Sequence, residues 1–168
     1  MRLKQKQWLL FALMVSISVL PQLSDAEHTR VTHPNVIGVE MLGRGLLYSV
    51  QFDRMLDDDF AAGISLGTVS AQSQTVTLIP VYMNYYFKRE QGSLLATAGV
   101  DVVASGNSAN GSKATVSGLE FPSNSVLPLF GFGYENRSDA NFLFRVNGYG
   151  IIASTFIPWI GFTFGYAF

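Results

Sequence analysis

A period of two runs through most of this chain and limits what it can fold into more than any other feature. "NVIGVEM", "SVQFDRM", "TLIPVYMNYYF", "LFGFGYE", "NFLFRVNGYG" and "WIGFTFGYAF" each put large apolar side chains on alternate positions. A helix gathers residues three and four apart on one face, whereas a strand gathers residues two apart. Eight strands are predicted, at about 35–43, 45–54, 60–68, 75–87, 93–105, 125–136, 140–150 and 157–168. Turn residues separate them. Their lengths are close to the ~9–11 residues that a tilted strand needs to cross a bilayer.

Pairing the segments through their short connections sharpens the pattern. "LGRGLL" predicts a hairpin with a two-residue turn at Arg44-Gly45, setting Met41 against Tyr48, Val39 against Val50 and Ile37 against Phe52. That face is apolar, and the other carries Gly38, Glu40, Ser49, Gln51 and Asp53. A slip of one residue would scramble the two faces. The same logic across "KREQGS" pairs Phe87 with Leu94 and Tyr85 with Ala96. Across "NRSDA" it pairs Tyr134 with Phe142, Phe132 with Phe144 and Phe130 with Val146.

Every predicted strand therefore has an aliphatic and aromatic face opposed by a face of glycine and polar groups. The apolar set is too bulky for the inside of a narrow eight-stranded barrel, while glycines suit a crowded interior. The expected fold is all-β: an eight-stranded antiparallel up-and-down transmembrane β-barrel with its apolar face outward. Short connections near 55–59, 88–92 and 137–139 are assigned to the periplasmic side. The apolar-face aromatics Phe52, Phe60, Tyr85, Phe87, Tyr134 and Phe142, with Tyr166 and Phe168, then collect at strand ends near that side, as an interfacial girdle would. The opposite end holds the turn at Arg44-Gly45 and a long polar loop at 105–124.

The inward face predicts a polar network of Glu40, Gln51, Asn84, Asp101, Glu135, Arg145 and Asn147. A charge at membrane depth must be paired or hydrated. Arg145 is expected to bridge the interior carboxylates and to make the network a plug. Pro80 and Pro128 interrupt the fourth and sixth strands, although a closed barrel has no edge to host a proline. They mark either a bulge near the rim or a candidate lateral opening for lipid or a small apolar ligand.

Residues 1–26 read as a signal peptide. Arg2, Lys4 and Lys6 precede an apolar run from Trp8 to Leu20, and Ser24 and Ala26 supply the small residues of a cleavage site. The domain plan is a signal peptide at 1–26, a periplasmic lead at 27–34 and a barrel at 35–168. Removing the first 26 residues takes away three of the 11 basic residues and one of the 12 acidic ones, leaving 8 against 11. That balance suggests no nucleic-acid surface. With no cysteine there are no disulfides, no thiolate metal sites and no lipid-anchoring thiol.

The signal peptide, the eight amphipathic strands and the aromatic final strand together resemble the small eight-stranded outer-membrane β-barrel proteins of Gram-negative bacteria, of the OmpA-transmembrane-domain and OmpX type. The last strand carries the closest likeness: Phe162, Phe164, Tyr166 and terminal Phe168 match the pattern that resembles the signal read by the barrel-assembly machinery. The resemblance implies the bacterial outer membrane as location, outer-membrane lipid as surroundings, and the assembly machinery and periplasmic chaperones as partners. It implies no particular surface ligand.

The expected role is structural or one of surface interaction through the loops, including 105–124. The alternative is a narrow, porin-like channel or carrier for small apolar molecules. A lipid A-modifying acyl hydrolase or transferase is the third reading, and the residues speak against it. Such catalysts use a His base, and His28 and His33 both precede the first strand. Asp57-Asp58-Asp59 reads as a solvated turn, and neither a metal nor a cofactor is expected.

Overall fold

The computed structural model describes residues 29–71, 74–106, 114–116, 119–121, 125–153 and 155–168. The predicted signal peptide and His28 lie outside them. A single helical turn, Thr29–Thr32, leads into ten strands: β1 (Asn35–Met41), β2 (Tyr48–Met55), β3 (Phe60–Ala71), β4 (Gln74–Tyr86), β5 (Gly92–Gly106), β6 (Ala114–Val116), β7 (Leu119–Phe121), β8 (Ser125–Arg137), β9 (Phe142–Ile152) and β10 (Phe156–Ala167). Eight of them close into an up-and-down antiparallel barrel in the order β1-β2-β3-β4-β5-β8-β9-β10, with β10 returning to β1. β6 and β7 pair only with each other, so the 105–124 segment read as loop carries a small hairpin.

Closure is staggered. The rungs that start at Val36 pass through Asp53, Gly63, Tyr82, Gly99, Leu129 and Ile151 to reach β10 at Ile157. Val36 itself pairs with Ala167, ten residues further along the same strand. Strands must tilt to absorb such an offset, which sets the width of the interior. At one end the chain is pinned where it enters and leaves the wall: Asn35 N donates to Phe168 O (3.0 Å), and Phe168 N donates to Asn35 O (2.8 Å).

The faces divide as the alternation predicts. Along β2 exposed and buried residues alternate without exception. Outward residues such as Val50, Ile64, Phe132 and Phe164 are about half exposed, while Glu40, Glu135 and Arg145 are 0% exposed. Two of the three predicted hairpin registers match the structure. Met41 pairs with Tyr48, Val39 with Val50 and Ile37 with Phe52. Tyr85 pairs with Ala96, and Phe87 N donates to Leu94 O (3.0 Å).

The third register differs. Tyr134 pairs with Val146, Phe132 with Gly148 and Phe130 with Gly150. β8 runs on through Arg137, and the turn tightens around Asn141, whose positive φ of 64° suits an asparagine. The displacement from the predicted pairing is four residues. An even shift leaves every side chain on its own face, so alternation cannot detect it.

The tip at Arg44-Gly45 also differs from a plain two-residue turn. Leu46 N donates to Gly43 O (2.9 Å) and Leu42 N to Leu47 O (2.9 Å), but the tip bends into the barrel. Arg44 and Leu46 are buried, and Leu42 and Leu46 adopt left-handed φ values of 52° and 72° that bulky side chains avoid.

Neither proline makes a bulge. The β3–β4 register is the same on both sides of Pro80, at Ile64↔Val81 and Gly67↔Leu78, and only the two rungs between are missing. Pro80 has no N–H to offer Ser65 across the ladder. Its pairing to Asp101 of β5 is unbroken. Pro128 sits on the outer face just beyond the last β8–β9 rung, Leu129↔Ile151, and keeps its place opposite Val100 of β5.

Candidate functional site

The interior is the chemically distinctive part of the molecule. Among the described residues, four guanidinium groups (Arg30, Arg44, Arg137, Arg145) and four carboxylates (Glu40, Asp53, Asp101, Glu135) are buried there, equal in number. Ion pairs withdrawn from water hold only with good geometry and further hydrogen bonds. The inner half, toward the short turns, meets that condition. Glu135 lies directly opposite Arg145 on the β8–β9 ladder. Arg145 Nε and Nη2 donate to Glu135 Oε2 at 2.9 and 2.6 Å, and Nη2 also donates to Asp53 Oδ2 at 2.7 Å. The other Glu135 oxygen accepts from Arg137 Nε (2.8 Å) and Arg30 Nε (3.3 Å). Tyr86 OH donates to Glu135 Oε2 (2.9 Å), and Tyr82 OH to Asp53 Oδ1 (2.5 Å).

Arg30 makes the lead a stopper. It bonds to the carbonyls of Glu90 and Gln91 in the β4–β5 turn, and its guanidinium lies 4.7 Å from the centre of the Tyr86 ring. Arg137 Nη1 reaches the carbonyl of His33 (3.2 Å). Residues 29–34, predicted as a periplasmic lead, thus fold back across the inner mouth.

A second layer lies above. Arg44 reaches down from the hairpin tip, giving its backbone N and its Nε to Glu40 Oε2 (2.9 and 3.2 Å) and Nη2 to Gln51 Oε1 (2.9 Å). Its guanidinium stacks 3.4 Å from the centre of the Tyr82 ring. Tyr149 OH donates to Glu40 Oε1 (2.7 Å) and accepts from Asn147 Nδ2 (2.5 Å). Asn84 Oδ1 accepts from Thr97 Oγ1 (2.7 Å). Glycines make room for these large groups: a Cβ on Gly131 would stand 2.6 Å from a Tyr149 ring carbon.

All seven predicted interior residues face the lumen, but they do not form one network around Arg145. Arg145 meets Glu135 and Asp53; Glu40 belongs to Arg44, and Asp101 stands apart. Sequence reasoning placed Asp53 on the inner face without assigning it a role, and it missed Arg30, Arg44, Arg137 and Tyr149. Arg137 shares Glu135's parity and was legible. Arg44 in a turn and Arg30 before the first strand carry no alternation to read.

Beyond that layer the outer half of the lumen turns apolar. Leu46, Val69, Val76, Leu78, Val103, Leu127, Ile151 and Ile157 form a buried cluster, with Ala153 and Trp159 packed on it.

Outside, the predicted girdle residues Phe52, Phe60, Tyr85, Phe87 and Phe142 are exposed, and Tyr134 is partly buried. Phe60, Tyr85 and Phe87 touch in sequence, with ring centres 4.9 and 5.1 Å apart, and Phe142 meets Tyr166 at 5.7 Å. Aromatics also extend up the wall, as in Phe144–Phe164 and Phe130–Phe156. Phe162, Phe164 and Tyr166 pair with Met41, Val39 and Ile37 at the β1–β10 seam, and Phe168 ends the wall.

Asp58 and Asp59 are held by Arg89, with contacts of 2.8 to 2.9 Å, and Asp57 caps the backbone N–H groups of Asp59 and Phe60. The hydrogen bond to Asp59 and that carboxylate's charge raise the Arg89 pKa. Among the described residues no group of three or more His, Cys, Asp or Glu is placed to hold a metal ion. No protein-family model matches the chain, and no curated protein matches it.

Proposed function

We propose that this chain is an integral outer-membrane protein of Gram-negative bacteria, an OmpA-transmembrane-domain or OmpX-like barrel released from a signal peptide near Ala26. Its role is structural or one of surface interaction through the outer loops. The observation that supports this best is the inverted sidedness of the barrel. A closed wall turns Ile37, Val50, Ile64, Met83, Phe132 and Phe164 outward, each about half exposed, and keeps eight charged side chains inside. In water that arrangement exposes far more contiguous apolar surface than a soluble monomer carries. In a bilayer it is the favourable one, and closure leaves no unpaired sheet edge. β10, with Phe162, Phe164 and Tyr166 along it, is then the segment offered to the barrel-assembly machinery.

The test is fractionation combined with heat-modifiability. The protein should sediment with outer membranes, require detergent for extraction and migrate faster on a gel when unboiled. Recovery as a soluble periplasmic protein would overturn the reading.

A porin-like role is opposed by the two layers of paired side chains that span the lumen. Single-channel recordings in planar bilayers should show no open state. The carrier reading draws support only from the apolar outer half, and Asp101 gives that half its chemistry.

A further inference from the structure

We propose that the outer half of the lumen is a binding site for a small organic ammonium compound with an apolar body, and that Asp101 holds its charged end. The argument begins with how charge is distributed. The inner half sets three guanidiniums, Arg30, Arg137 and Arg145, against two carboxylates, Asp53 and Glu135. The outer half sets Arg44 against Glu40 and Asp101. Arg44 is engaged by Glu40, Gln51 and the Tyr82 ring, and its Nη1 touches neither Asp101 oxygen. Asp101 is 1% exposed, and both of its oxygens lack a hydrogen-bond partner among the described residues.

Its position denies it one. Its neighbours across the ladder are Pro80 and Leu127, whose side chains carry no donor. The next inward-facing residues along β5 are Gly99 and Val103. A carboxylate withdrawn from water without a partner is costly, and a cation that brings its own donors relieves the cost. A hard metal ion is a poor fit, because it needs about six oxygen ligands and the neighbouring strand positions are Pro80, Leu127, Gly99 and Val103. An alkylammonium fits both parts: three N–H donors for the carboxylate and a chain for the apolar wall. Trp159 packs on the same cluster with its indole N–H unpartnered, and an indole face attracts an ammonium. The proposal rests on the barrel reading above and goes beyond it by naming the ligand class.

The chain has two tryptophans, Trp8 and Trp159, and Trp8 leaves with the proposed signal peptide, so Trp159 is the sole tryptophan reporter in the released protein. The released protein, in an uncharged maltoside detergent, should show a saturable change in Trp159 emission with butylammonium. Butanol and butyrate should bind at least tenfold more weakly. Asp101→Asn should weaken butylammonium binding at least tenfold while the barrel stays heat-modifiable. Equal responses to butylammonium and butanol, or no saturable response to either, would overturn the proposal even if Asp101→Asn fails to fold. Loss of heat-modifiability in the parent chain would instead count against the barrel reading.

Discussion

The two halves of the lumen share a wall and a strand pattern but solve opposite problems. In the inner half every buried carboxylate is held by at least one guanidinium, and Glu135 is held by three. In the outer half Asp101, which also faces inward, sits between Pro80 and Leu127 with no hydrogen-bond donor among the described residues. Facing inward is therefore not a uniform condition. Depth in the barrel decides whether a charge contributes to stability or costs it, and the inner half is organised as a plug.

Four substitutions test the contrast, from the largest expected effect to the smallest. Glu135→Ala removes the acceptor shared by Arg30, Arg137 and Arg145 and leaves buried cations with Asp53 as their only nearby carboxylate. It should cost about 5 kcal/mol, read as a fall in the urea midpoint of the refolded barrel. A loss below ~1 kcal/mol would mean that the inner cluster is hydrated and does not act as a plug.

Arg145→Ala uncovers Asp53 but leaves Glu135 with Arg30 and Arg137. Its cost should be smaller, about 3 kcal/mol, with no conductance appearing in planar bilayers because Arg30, Arg137 and Tyr86 still fill the inner mouth. A large open state in this variant would break the plug description. Gly133→Ala tests packing without touching a charge. Its methyl group would land on the Asn147 side-chain oxygen and the Val146 carbonyl, at a cost of about 2 kcal/mol in the same unfolding assay.

Asp101→Leu should go the other way. Replacing an unpaired buried carboxylate with an aliphatic group next to Leu127 and Val103 should raise stability by about 1 kcal/mol. A destabilising result would show that Asp101 is paired after all and would erase the difference between the halves. Stabilisation with loss of butylammonium binding is the pattern of a site that trades stability for function.

Much of the fold was legible without coordinates, because alternation is local. Residues 35–41 and 48–55 declare their two faces within seven or eight positions, and a wrong parity would have put Glu40 and Asp53 on the apolar outer face. The hairpin register at Tyr134 was not legible, since a four-residue shift preserves both faces. Only the assembled barrel sets Glu135 opposite Arg145, where the predicted pairing set it elsewhere. The prolines were visible, but their consequence was not. Pro80 removes two rungs without shifting the register because β5 holds the other side of its strand.

By itself, then, the sequence determined which side of the wall each strand residue takes, since side-chain direction along an extended chain depends only on parity. It also determined the number of barrel strands, since turn residues interrupt the alternation at regular distances, but not the small β6–β7 hairpin. The tertiary structure decided which inward residues meet. Contacts across the lumen depend on the stagger of a closed barrel, which brings Arg44 to Gln51 and Tyr82, and Tyr149 to Glu40, from strands whose order in the chain gives no hint of it. It also decided that Arg30 and Arg44, which lie in no strand, would seal the space that the strands enclose.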